Sequence, residues 1–297
     1  MTSETPSRSA FAERFFQLLA VALLFTLFLH QSRYLQRWDS AQFALGLEHL
    51  DVRDHQPHPP GYPLYIYCAR LLQPLGWNDA NRAFLLLNWL LTAGAAWAAF
   101  LLGTKWAGKL GGAICACFIL ASPLTRYYAS VALSYPAGLC WFAWLGYSAW
   151  RVTRENDKRW WWPFVIAGIG GAFRLPTLVL GLPLLGYVWW KIPKAGKVIG
   201  PLLTAAIMVG AYLPVIQSSG GWDGWFGALA SEGVKHETRF GRWDVGPLKE
   251  LRDNWLGFKD YFWQAFLLPI PVVIGLVMGG IARLKKTSEP PAPATQG

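Results

Sequence analysis

The chain has 297 residues, of which 54% are hydrophobic and only 15% charged, with 18 tryptophans and a formal net charge of +10. That is too much apolar surface and too little charge to coat a water-soluble globule, so the composition excludes an ordinary soluble enzyme and calls for lipid as solvent. Cys68, Cys115, Cys117 and Cys140 lie in apolar surroundings without zinc-ligand spacing and read as small packing residues.

A bilayer core takes about 20 apolar residues per helix. The apolar runs predict eight spans, at 12–30, 83–103, 110–125, 130–150, 160–174, 175–190, 198–216 and 262–282. The first lacks the small-residue cleavage site of a signal peptide and is expected to remain as an uncleaved span. After it comes a polar segment, 31–82, that holds WDSAQFALGLEHLDVRDHQPHPPGYPLY, the densest group of acids, histidines and prolines in the chain. Within this segment Pro59 to Gly76 opens Pro-Pro-Gly, carries Pro63 and Pro74, and has Arg70 at its middle. A helix lying against the outer surface is expected there rather than a ninth span.

The turns KWAGK, RVTRENDKR and KIPKAGK are short and basic. The positive-inside rule makes them cytoplasmic, which puts both termini in the cytoplasm and the long polar segments 31–82 and 217–261 outside. Topology then accounts for the basic charge, and because the basic residues form no single patch, nucleic-acid binding is not expected. The expected fold class is all-α: a polytopic membrane bundle of eight helices with a helical outer first loop. A single membrane domain covers 1–286, and a Ser/Pro/Ala tail over 287–297 is expected to be disordered.

The order of motifs resembles the GT-C superfamily of integral-membrane glycosyltransferases, in particular the bacterial families allied to protein O-mannosyltransferases and lipid A aminoarabinose transferases. The likeness begins with WDSAQF, HPPGYPLY and Arg82 at the second span. It continues through ASPLTRYYASVALSYPAGLCWFAWLGYSAW (121–150), GIGGAFRLPTLVLGLPLL (168–185) and GGWDGWFGALASEGVKHETRFGRW (220–243). Two departures stand out, Gln42 and Ser130, each at a place where relatives carry an acid, and the chain lacks the further spans and C-terminal soluble domain of many relatives. The resemblance implies a GT-C-like fold in a bacterial inner membrane and a polyprenyl-phosphate sugar as donor. It implies inverting transfer on the outer face to an acceptor that is protein, lipid or glycan.

Transfer from a glycosyl phosphate needs a base for the acceptor hydroxyl and cations for the departing phosphate, which requires no general acid. Asp39, close after the first span and within the WDSAQF resemblance, is the candidate base; the alternative is an N-cap for the helix that follows. Asp51 and Asp54 read as exposed loop charges near Arg53. His58, held by the rigid HPPGYP turn, stands where related aminoarabinose transferases place a phosphate-binding lysine, and the resemblance implies a hydrogen-bond donor to phosphate there; the alternative is a helix-start residue satisfied by backbone.

Arg174, in GIGGAFR, is the leading phosphate-binding cation, followed by Arg82; Arg126 is balanced against simple snorkelling to headgroups. Tyr62 and Tyr135 are candidate donor contacts, with Tyr65 and Tyr127 read as interface aromatics. His236 and Arg239 in KHETRFGRW are candidate acceptor or headgroup contacts, or part of a basic surface helix. The histidines and aspartates lack recognised ligand spacing, so no cofactor is expected, with a divalent metal as the disfavoured alternative. Two other functions stay open: a transporter or flippase of lipid-linked sugar, and an inactive truncated scaffold.

Overall fold

The computed structural model describes residues 8–240 apart from residue 77, with isolated helical positions at 252, 255, 256 and 259. The predicted span 262–282 and the tail 287–297 lie outside the described residues. Among the described residues the chain is all-helical, with no strand beyond one isolated bridge between Asp51 and Gln56. Three helices among the described residues are long and apolar enough to cross a membrane: α1 (Arg8–Leu29), α4 (Ala80–Ala121) and α9 (Lys194–Ser218).

At a rise of about 1.5 Å per residue, α1 is roughly 33 Å long, which matches a hydrocarbon core of about 30 Å. The 42 residues of α4 contain the predicted span 83–103 and the first twelve residues of the predicted span 110–125, whose last four fall at Ser122 and in the helix that follows. The helix is broken at Ala107 and Gly108, and Gly108 adopts φ +69°, open to glycine at little cost. Its two arms, 80–106 and 109–121, fold back on each other through small residues. A Cβ on Gly112 would lie 2.2 Å from Thr104 Oγ1 and 2.5 Å from the Phe100 carbonyl, so the approach depends on glycine.

The second arm ends at Ala121 because Ser122 and Pro123 start a new short helix, α5 (Pro123–Ala129). The span expected at 130–150 begins only at Tyr135, as α6 (Tyr135–Arg154), since residues 130–134 form a non-helical link. That link is fixed by a buried amide. Asn88 in α4 donates to the carbonyls of Val131 (2.7 Å) and Leu133 (3.0 Å) and accepts from Tyr65 Oη (3.1 Å). An Asn inside an apolar helix must find such partners, because leaving them unmade costs about 1–3 kcal/mol per group.

The segments 160–174, 175–190 and 198–216 appear as α7 (Trp162–Phe173), α8 (Leu175–Lys191) and α9. With 12 residues α7 is about 18 Å long, short of a hydrocarbon core. It packs against α6, α8 and α9, and Gly168, Gly170 and Gly171 let Ile207, Trp141 and Met208 close on its backbone.

Over 31–82 the chain folds as α2 (Trp38–Glu48) and α3 (Pro63–Leu72), with single turns of 3-10 helix at Val52–Asp54 and Pro74–Gly76. The ten residues of α3 are too few to span, and the helix is wedged against α2, α4, α7 and α9 with Tyr65, Ile66 and Ala69 fully buried. Arg70 is not spent on solvent: it donates to the carbonyls of Leu47 (2.9 Å) and Gly46 (2.8 Å) and so ties α3 to the end of α2. Phe43, 1% exposed, is the hub of this region, with the rings of His58, Tyr62, Tyr65 and Phe84 around it. The chain from α9 turns at Gly220 and Gly221 into α10 (Gly221–Phe240), which crosses the same end of the bundle.

Candidate functional site

Asp39 lies in the first turn of α2, and the N-cap is Arg37, which makes no side-chain cap. The capping role for Asp39 is therefore not realised, although a carboxylate in that turn is favoured by the positive end of the helix. Asp39 is half-buried, and no hydrogen bond or ion pair with a described residue engages its carboxylate.

His58 follows the cis Gln56–Pro57 bond and precedes the cis Pro59–Pro60 bond. Its Nδ1 lies 2.8 Å from Gln42 Oε1 and its Nε2 3.0 Å from Tyr62 Oη. The satisfied-by-backbone alternative is thus replaced by satisfaction through side chains. Both ring nitrogens are engaged, so in this arrangement the ring has no spare N–H to direct at a phosphate. Burial pushes the His58 pKa below its ordinary value, opposed by the charges of Asp39 and Glu232 and reinforced by those of His55 and Arg174. Tyr62, only 9% exposed, is pushed up to about 12 by burial, within reach of the charges of Arg174 and Asp39.

Arg174 occupies the junction between α7 and α8, in extended backbone with φ −160°. Its guanidinium donates to Ser134 Oγ (3.1 Å) and lies 4.0 Å from the centroid of the Tyr135 ring. Tyr135 also stacks on Tyr128, at 4.2 Å. Arg174 forms no ion pair among the described residues, although the acids Asp39 and Glu232 bear on the same His58 ring. The link 130–134, pinned by Asn88, is what carries Ser134 and Tyr135 to this place.

The remaining candidates fall elsewhere or do other work. Arg82 is exposed in the first turn of α4, where Asp79 caps the helix by accepting from its backbone N–H (2.8 Å). Arg126 is used to fasten α1, donating to Thr26 Oγ1 (3.1 Å) and to carbonyls of Leu23 and Leu120. Tyr65 is buried on Asn88, not set at an interface, while Tyr127 accepts from Arg37 at the surface.

Asp51 is not an exposed loop charge. It is 1% exposed, caps the Val52–Asp54 turn and binds the Arg53 guanidinium, which holds its carboxyl below the usual range. His49 and Asp54 are exposed, and the side chains of His236 and Arg239 lie outside the described residues, though α10 carries their backbone. Among the described residues no group of three or more His, Cys, Asp or Glu side chains is arranged to hold a metal ion.

Two participants were missed in the sequence. Glu232 in α10 brings a second carboxylate to bear on His58, and its only signal is an acid in the otherwise apolar and small GALASEGV. Asn88 positions the link to Tyr135, and its signal is a lone amide in LLLNWLL. Comparisons with protein-family models, with curated proteins and with solved structures find no match to this chain.

Proposed function

We propose that this chain is an integral-membrane glycosyltransferase. It transfers a sugar from a polyprenyl-phosphate donor to an acceptor hydroxyl at the outer face of the membrane, with inversion. In this reading the three long apolar helices belong to an eight-span GT-C-like bundle of a bacterial inner membrane, with both termini cytoplasmic.

The observation that supports it best is that the charges of Asp39, on α2, and Arg174, at the α7–α8 junction, both act on the His58–Tyr62 pair while the two form no ion pair with each other. Carboxylates and cations that share a site and leave their charge unspent are what transfer from a glycosyl phosphate requires. As the bond from the acceptor oxygen to the anomeric carbon forms, Asp39 takes the hydroxyl proton. The bond from that carbon to the phosphate oxygen breaks on the opposite face, and the polyprenyl phosphate leaves with its negative charge toward Arg174. Tyr135, held against Arg174, keeps the guanidinium in place. Glu232 supplies the second acid absent at position 42, which favours an enzyme over an inactive scaffold.

The test compares envelope glycans by mass spectrometry in a strain deleted for this chain and complemented with wild type or Asp39→Asn at equal membrane abundance. A glycan that returns with wild type and falls by about 10²–10⁴-fold with the variant supports a general base. Equal restoration by both would remove Asp39 from the chemistry and favour transport of the lipid-linked sugar.

A further inference from the structure

Gln42 puts an amide on α2, one helical turn from Asp39, and the structure gives it a partner. Gln42, 6% exposed on α2, meets His58 Nδ1 at 2.8 Å through its carbonyl oxygen, and the same ring meets Tyr62 Oη at 3.0 Å. A carbonyl oxygen only accepts, so Nδ1 carries the proton. In a neutral ring Nε2 is then bare, and the only hydrogen that can fill the second contact is the Tyr62 phenol proton.

We propose that Gln42 is a positioning residue that sets the His58 tautomer, and through it commits the Tyr62 proton to His58. With its one proton given to His58, the Tyr62 oxygen keeps only lone pairs for any other group, and the charges of Arg174 and Asp39 act on the same phenol. It can accept from a substrate hydroxyl and cannot donate to the base. A phenol donating to Asp39 would stabilise the carboxylate and weaken it as a base. A carboxylate at position 42 would have the opposite effect to the amide: it would hold His58 as an imidazolium, whose charge would be drawn to Asp39 and Glu232.

The groups that act on His58 come from every element around it. They are Asp39 and Gln42 on α2, His55 in the loop, Tyr62 at the start of α3, Arg174 before α8, and Glu232 on α10. Burial of the ring favours its neutral form, in keeping with a neutral chain of Gln42, His58 and Tyr62.

The consequence for transfer rests on the glycosyltransferase reading; the tautomer does not, and the two are measured separately. Full-length protein labelled with 15N-histidine in lipid nanodiscs gives two-bond 15N–1H spectra of the imidazoles, with His58 assigned by its loss in His58→Gln. The expected result is a neutral Nδ1–H ring at pH 7 in wild type, unchanged in Tyr62→Phe, and a doubly protonated ring in Gln42→Glu. An Nε2–H ring in wild type, or one that turns over in Tyr62→Phe, would overturn the proposal. Tyr62→Phe keeps it testable if the Gln42 variants do not fold.

In the glycan assay Gln42→Leu and Gln42→Glu each lose on the order of tenfold, the scale of one hydrogen bond. The Glu variant recovers as pH rises and His58 loses its added proton, and the Leu variant does not. Equal, pH-independent losses would mean that Gln42 only fills space. A spectrum as expected with no transfer by wild type would leave the tautomer standing and remove the glycosyltransferase reading.

Discussion

The two ends of α6 meet charge in different ways. At its C-terminal end, where the 155–161 turn meets the α4 break, every acid is matched: Lys105 and Arg151 each bind Glu155 at 2.9 Å, and Arg151 and Arg159 each bind Asp157 at 2.8 Å. At its N-terminal end the charges of Asp39 and Arg174 both act on His58, and neither forms an ion pair among the described residues. The first arrangement consumes its own charges and joins α4 to the α6–α7 turn. The second keeps them available, and the polar contacts around it, from Gln42 to Tyr62 and from Ser134 to Arg174, orient side chains without neutralising them.

The sharpest way to break this contrast is Arg174→Lys. A lysine keeps the charge and loses the planar fork and the stacking on Tyr135, so glycan transfer should fall by about 10²-fold, with the protein still present in the membrane at wild-type level. Full activity in the variant would make Arg174 an ordinary surface cation.

A second test uses pH. The folded His58 pKa lies below its ordinary 6.5, so the unfolded chain binds the proton more readily. Stability should be complete above about pH 6.5 and decline as pH falls through the folded value; His58→Gln should remove that part of the decline. At the other end Asp157 is lowered from 3.8 to about 2, chiefly by its hydrogen bonds from Arg159. Its contribution is present above pH 3.8 and lost as pH falls toward 2. Thermal unfolding in detergent across pH 2 to 8 should therefore show two windows, the upper one lost in His58→Gln and the lower one in Asp157→Asn.

The smallest effect belongs to the paired end. Asp157→Asn loosens two partly exposed ion pairs and should cost about 1 kcal/mol in stability, while transfer per folded molecule stays at wild-type level. A loss of transfer at constant fold would connect the two ends in a way their geometry gives no reason for.

Much of the helical layout was legible because apolar runs and prolines act locally. The run in α1, the basic KWAGK turn with its glycine break, and the short α3 bounded by Pro63 and Pro74 follow from neighbours along the chain. The late start of α6 was not legible, since residues 131–133 are apolar enough for a span and are held out of helix by Asn88, more than forty residues upstream. Asp51 is a similar case: its sequence neighbours suggest an exposed acid, and only the fold buries it against Arg53 under the turn from α9 to α10.

The sequence by itself determined an all-helical chain with apolar helices of membrane-crossing length, and it singled out Asp39, His58, Tyr62, Tyr135 and Arg174, because hydropathy and local motifs are properties of short windows. The tertiary structure alone decided which of these share a neighbourhood. It engaged His58 with Gln42 and Tyr62, brought Glu232 in from α10, and used Arg126 to hold α1. Hydrogen-bond partners and burial depend on distances between segments remote in the chain, and no short window of sequence contains those distances.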